Sequence, residues 1–125
     1  QLKWAASQLV LDAGGTVVRP FRAIGPGDTR SVVASAARAA LRQQPFKMTE
    51  GSQVREWNHV KAIAQGILAA SVHPETKGSI VNLGGGEHRS VFDVVKDIFN
   101  ASGAPSELIH RGALPLRSGE VTQLV

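Results

Sequence analysis

The sequence predicts an α/β protein. Two observations predict it: stretches with apolar residues at helical spacing alternate with short β-branched runs, and glycine or proline separates most neighbouring segments. The composition agrees, with 42% hydrophobic and 19% charged residues in 125, which is globular rather than disordered. A chain of this length fits one small domain with a small core. It opens on Gln1 with no charged stretch leading into an apolar one, so it reads as a cut or processed edge without a signal peptide. No apolar run is long enough to span a bilayer.

The elements follow in order. Leu2 to Leu11 reads as the end of a helix, with Ala5, Ala6, Leu9 and Val10 on its apolar side, stopped by Ala13-Gly14-Gly15. Thr16 to Pro20 reads as a buried parallel strand. Gly25-Pro26-Gly27-Asp28 is a loop, and Asp28 or Thr29 can cap an alanine-rich helix from Ser31 to Gln44 that Pro45 ends. Phe46–Thr49 and Gln53–His59 read as two strands around a turn at Glu50-Gly51. Val60 to Ser71 is an amphipathic helix with Val60, Ile63, Ala64, Ile67 and Leu68 at helical spacing. Ser79 to Leu83 is a strand running into Gly84-Gly85-Gly86. Ser90 caps a helix whose face is Val91, Val94, Val95, Ile98 and Phe99, closed by Ser102-Gly103. Ser106 to His110 reads as a last strand and Leu114 to Val125 as an extended tail.

Charge and residue usage exclude several chemistries. With no cysteine there is no disulfide or thiol chemistry, which suits a cytoplasmic location. The net charge is +4, but the arginines are scattered and no tyrosine is present, so anionic small molecules are favoured over nucleic acid. A salt-sensitive nucleic-acid binder is the weakest rival reading. The histidines at 59, 73, 88 and 110 lack metal-ligand spacing, and no metal site is expected. The triple glycine satisfies neither the Walker nor the dinucleotide spacing and reads first as a turn leaving a strand. Asp28, Glu56, Glu87 and Glu120 read as caps or solvated charges. Arginines set among apolar or aromatic residues carry more: Arg19 and Arg22 flank Pro20-Phe21, Arg55 stands near Trp57, and Arg117 lies in the tail. A guanidinium fork matches phosphate or carboxylate, so these positions together suggest a bound diphosphate.

Val17-Val18-Arg19-Pro20-Phe21 through Gly25-Pro26-Gly27-Asp28, then Gln53 to Val60, Ile80 to Glu87, and Arg117-Ser118-Gly119-Glu120-Val121 come in an order that resembles the extended short-chain dehydrogenases, the NAD-dependent epimerase/dehydratase family. The resemblance covers essentially the whole chain. It implies the C-terminal half of a Rossmann-type NAD(P)-binding fold plus the small substrate-binding subdomain: residues 1–28 end the Rossmann part and form the site loop, and residues 29–125 are mainly substrate-binding, with strand 79–83 returning to the main sheet.

The resemblance also implies roles. Lys3 stands where the family's Tyr-x-x-x-Lys lysine opens its helix, as a catalytic and cofactor-binding group. The tyrosine would then fall just ahead of Gln1. Pro20 and Phe21 would lie beside the nicotinamide of NAD or NADP. Arg22, Arg55, Asn82 and Arg117 would hold a nucleoside-diphosphate sugar. The implied function is part of a nucleotide-sugar epimerase, dehydratase or ketoreductase, the alternative being an inactive truncated nucleotide-sugar-binding or interaction module. Strand edges left exposed and the lysine helix allow a homodimer. The sequence departs from the family pattern at Arg22 (often Asn), Ile24 (Tyr), Lys61 (Asp) and Ser7 (Glu). It contains neither a glycine-rich dinucleotide loop nor a tyrosine, so no turnover is expected of this chain alone.

Overall fold

A computed structural model describes residues 2–124, with side chains described for 2–123. The chain forms two compact units. The first takes the chain up to Gly25 together with Trp57–Gly85; the second takes Pro26–Glu56 and the chain from Gly86 onward.

In the first unit, helix α1 (Leu2–Asp12) turns back through Gly14 and Gly15 into strand β1 (Val17–Pro20). Gly14 has φ +75, and Gly15 N–H donates to Val10 O at 2.8 Å. Only glycine takes that φ cheaply, so the turn stays short. Strand β2 (Arg22–Ile24) follows at once, a strand the sequence pattern did not predict. After the second unit's first segment, strand β4 (Val54–His59) ends in this unit and leads into helix α3 (Val60–Val72), then strand β5 (Ile80–Leu83). β1 and β5 pair in parallel from Val17↔Ile80 to Pro20↔Leu83, while β2 pairs in parallel with the end of β4, Arg22↔Trp57 to Ile24↔His59. His59 caps α3: its Nδ1 accepts from Lys61 N–H at 3.2 Å. Gly66 lets α3 lie close on β5, since a Cβ there would collide with Leu83. Of the expected α3 face only Ile63 is buried; Val60, Ile67 and Leu68 are 44%, 42% and 68% exposed. The helical periodicity is therefore right, but most of the face finds no cover among the described residues.

The second unit closes a core of its own. Helix α2 (Val32–Leu41) and helix α4 (Val91–Ala101) bring Ala36 and Ala40 against Val95 and Phe99, all four at 0% exposure. Alanines allow close helix approach, and Phe99 fills the space with Met48, Ala104 and the tilted ring of Phe46, 6.2 Å away. Strand β3 (Phe46–Lys47) does not form a hairpin with β4, contrary to expectation. It pairs in parallel with strand β7 (Ile109–His110). Gly51, at φ +67, turns the chain instead, and a Cβ there would stand 2.9 Å from Phe92 Cβ. The start of β4 pairs antiparallel with strand β6 (His88–Ser90) and in parallel with strand β8 (Gln123–Leu124). Ser31 and Ser90 cap α2 and α4. Asp28, expected as a cap, prepares the first one: its Oδ1 accepts from Arg30 and Ser31 N–H, each at 3.1 Å.

Candidate functional site

Parallel strands place ligands at their carboxyl ends. In the first unit Phe21 N–H donates to Leu83 O at 3.0 Å, so Pro20-Phe21 and Asn82-Leu83 leave the sheet side by side. Pro20 and Asn82 are exposed there and Phe21 is half-buried. A turn as short as 13–16 reverses the chain. α1 packs on β1, and Lys3 lies in the first turn of α1. Lys3 is exposed, with no carboxylate paired to it among the described residues. A free ammonium, a flat proline surface and an adjacent aromatic ring suit a ribose and a planar heterocycle.

Arg22 follows directly. Its register partner is Trp57, and the guanidinium carbon lies 5.5 Å from the indole centroid, within cation–π range. Behind the glycine loop, buried Asn58 crowds Gly85: a Cβ would stand 3.1 Å from Asn58 Oδ1. The triple glycine is thus a close backbone approach as well as a turn.

The second unit joins three of the sequence motifs. Arg55 is 8% exposed, and its fork points at the tail. It donates to Val54 O (2.8 Å), Thr122 O (3.2 Å) and Val121 O (2.6 Å), with Glu120 Oε1 at 3.6 Å. Gln53 Nε2 donates to the same Glu120 oxygen at 3.1 Å. Glu120 N–H donates to Arg117 O at 3.1 Å across the Gly119 turn, so Arg117 belongs to the segment that Arg55 holds. The Arg117 side chain itself is exposed. Arg55 and Arg117 are therefore neighbours through the tail, but only Arg117 presents an open guanidinium.

Glu56, read from sequence as a cap or solvated charge, is 5% exposed. Its Oε1 accepts from Gly86 N–H at 3.1 Å and its Oε2 lies 3.7 Å from His88 Nε2, which fixes the glycine loop to β4. Glu120 is likewise a tether. The available signal was their place beside Arg55 and Arg117, since a carboxylate next to a needed cation is rarely idle. No group of His, Cys, Asp and Glu among the described residues could hold a metal. No described helix is long and apolar enough to cross a membrane.

Parallel strands whose carboxyl ends carry Pro20, Phe21 and Asn82 make this an α/β protein of the class in which ligands gather at that end. The chain belongs to the NAD dependent epimerase/dehydratase family, whose model matches residues 2–84. It is 28% identical over 100 residues to a UDP-N-acetyl-alpha-D-glucosaminuronate decarboxylase from Bacillus cytotoxicus, covering 76% of this chain and 31% of that protein. Among solved structures it resembles epimerase Mth375 from Methanothermobacter thermautotrophicus (TM-score 0.80, 26% identity, 98% of this chain and 38% of that one). It also resembles MoeE5 in complex with UDP-glucose and NAD (TM-score 0.79, 26% identity, 97% and 43%). The chain thus spans less than half the length of each.

Proposed function

We propose that this chain is the C-terminal portion of an NAD(P)-dependent enzyme acting on a nucleoside-diphosphate sugar, of the epimerase, dehydratase or decarboxylase kind. The observation that carries the reading is the junction of Pro20-Phe21 with Asn82-Leu83 at the carboxyl ends of β1 and β5. Family membership and relatives bound to NAD and UDP-glucose support it.

In this reading Lys3, Pro20 and Phe21 hold the nicotinamide-ribose end of the cofactor, and they fit it. Lys3 donates to ribose hydroxyls and, as a cation, favours the ionised form of an acid placed beside it. Pro20 offers an apolar surface without a donor, and Phe21 a ring. The bound nicotinamide supplies the hydride acceptor. Asn82 offers an amide to a sugar hydroxyl. In the second unit Arg117 presents an open guanidinium that matches a phosphate, while Arg55, Gln53 and Glu120 keep the Arg117 turn in place. Arg55 acts here as a positioning residue, because its donors already face backbone carbonyls. A homodimer through α1 belongs to the same reading, since Leu2, Trp4 and Leu9 are 89%, 66% and 72% exposed.

No dinucleotide glycine motif and no tyrosine occur in these 125 residues, which favours ligand binding without turnover by this chain alone. Calorimetric titration of the purified chain with UDP-glucose tests the reading. Binding is expected, with affinity falling about 10-fold or more in Arg117→Ala, the order of a charge-assisted hydrogen bond. No heat with UDP-glucose, UDP-glucuronate or dTDP-glucose at millimolar concentration overturns it. Turnover of UDP-glucose with NAD by the purified chain overturns the binding-only part.

A further inference from the structure

The tail of the second unit docks without burying its own side chains. Every residue in 111–123 is exposed. Strand β8 is two residues long and lies along the start of β4, whose other edge is taken by β6. Leu114 N–H donates to Met48 O, and the next backbone bond between tail and body among the described residues is Val54 N–H donating to Thr122 O at 2.8 Å.

Arg55 supplies most of the remaining hold. Its Nη1 donates to Thr122 O and its Nη2 to Val121 O, while the Glu120 carboxylate stands at 3.6 Å, beyond hydrogen-bond distance. Gln53, which holds Glu120 through its Nε2, leaves its Oε1 buried with no partner among the described residues. A stranded acceptor in the seam where the tail docks costs stability. A guanidinium bonds an anionic oxygen about twice as strongly as a neutral one. A phosphate-type anion therefore offers Arg55 better acceptors than two carbonyls do, and the tail forfeits no apolar burial of its own on leaving. Segments held in this way open locally without unfolding the core.

We propose that residues 117–123 form an autoinhibitory strap: Glu120, Val121 and Thr122 mask Arg55, and a phosphate-type anion displaces them. Docked, the strap presents Arg117; released, it uncovers Arg55. The strap needs only Arg55 and an anion, so it stands apart from the nucleotide-sugar reading.

Amide hydrogen exchange of the full chain, followed by NMR at constant ionic strength, tests it. Val54 N–H reports the docked strap, and Val91 N–H, which donates to Gln53 O, reports the neighbouring β6 side. With inorganic pyrophosphate at millimolar concentration Val54 is expected to exchange about 10-fold faster, the order of one charge-assisted hydrogen bond, while Val91 stays unchanged. Arg117→Gln removes the tail's own open guanidinium and keeps the response. Glu120→Gln removes the strap's charge and lowers the pyrophosphate concentration required, whereas Glu107→Gln, at an exposed acid outside the strap, does not. Arg55→Gln, checked for folding by circular dichroism, exchanges fast at Val54 without added anion and gains nothing from pyrophosphate; if it does not fold, Glu120→Gln against Glu107→Gln decides. UDP releasing the strap at lower concentration than pyrophosphate marks a nucleotide-borne diphosphate as the source of the anion, and equal concentrations mark the free anion. Val54 exchange that ignores pyrophosphate, that rises together with Val91, or that responds equally in Arg55→Gln overturns the strap and leaves the nucleotide-sugar reading standing.

Discussion

The two units solve the problem of burying apolar surface in different ways. In the second, α2 and α4 close on each other around Val95 and Phe99, and the unit has a sealed interior. In the first, two separate parallel strand pairs and two helices occur, but among the described residues only Ile63 and Ala70 of its apolar side chains are buried. Leu2, Leu9, Leu68 and Val72 remain in solvent. A parallel sheet is ordinarily covered on both faces and continued at its edges, and two-stranded pairs cannot supply that. Lys3, Pro20 and Asn82, the residues proposed for the ligand, sit in the unit with less buried apolar surface, while the second has the sealed core and the arginine tail.

The largest expected effect tests that contrast directly. Phe99→Ala should destabilise the second unit by about 3–5 kcal/mol, whereas Leu9→Ala should change stability by under about 0.5 kcal/mol. Both tryptophans, Trp4 and Trp57, lie in the first unit. In urea unfolding, tryptophan fluorescence therefore reads the first unit, while circular dichroism sums the helices of both. Coincident losses by both probes in Phe99→Ala would mean that the first unit borrows its stability from the second.

Glycines sharpen the comparison at smaller scale. Gly51→Ala should cost about 1–3 kcal/mol, because φ +67 is strained for alanine and the added carbon meets the Phe92 backbone, with its N at 3.0 Å. Gly66→Ala in α3 meets only the tip of Leu83, which can turn away, while the helix gains up to about 1 kcal/mol of propensity. Its net change in melting temperature should be near zero; a loss as large as that of Gly51→Ala would show that the first unit is packed as tightly as the second.

The smallest effect is acid-linked and belongs to the second unit. Hydrogen bonding from the Ser31 side chain, then from the Ser31 and Arg30 backbone amides, holds the Asp28 carboxyl below its usual 3.8. A depressed folded-state pKa contributes stability above the unfolded value and loses it as pH falls through the folded one. Melting followed from pH 5 down to below 3 should show a slight loss in the native chain, and Asp28→Asn should remove that increment of the slope. An unchanged slope would mean that Asp28 plays no part in the lead into α2.

The sequence by itself determined the α/β class, the helices, and the caps at Ser31 and Ser90, because helical periodicity, serine caps and glycine stops are local. It also placed the residues around Pro20 and Asn82 at strand ends, since glycine loops mark where strands finish. Tertiary structure alone decided the partners. β3 pairs with β7 rather than β4, because Gly51 turns toward Phe92 and parallel pairing joins residues some sixty positions apart. Arg55 turned inward to Glu120 and the tail carbonyls, and Arg22 outward onto Trp57. Arg55 stands two residues from Trp57 in sequence, whereas Arg22 meets it only through the register of β2 on β4. What separates them is the supply of carboxylate and carbonyl oxygens that long-range folding brings to one and withholds from the other.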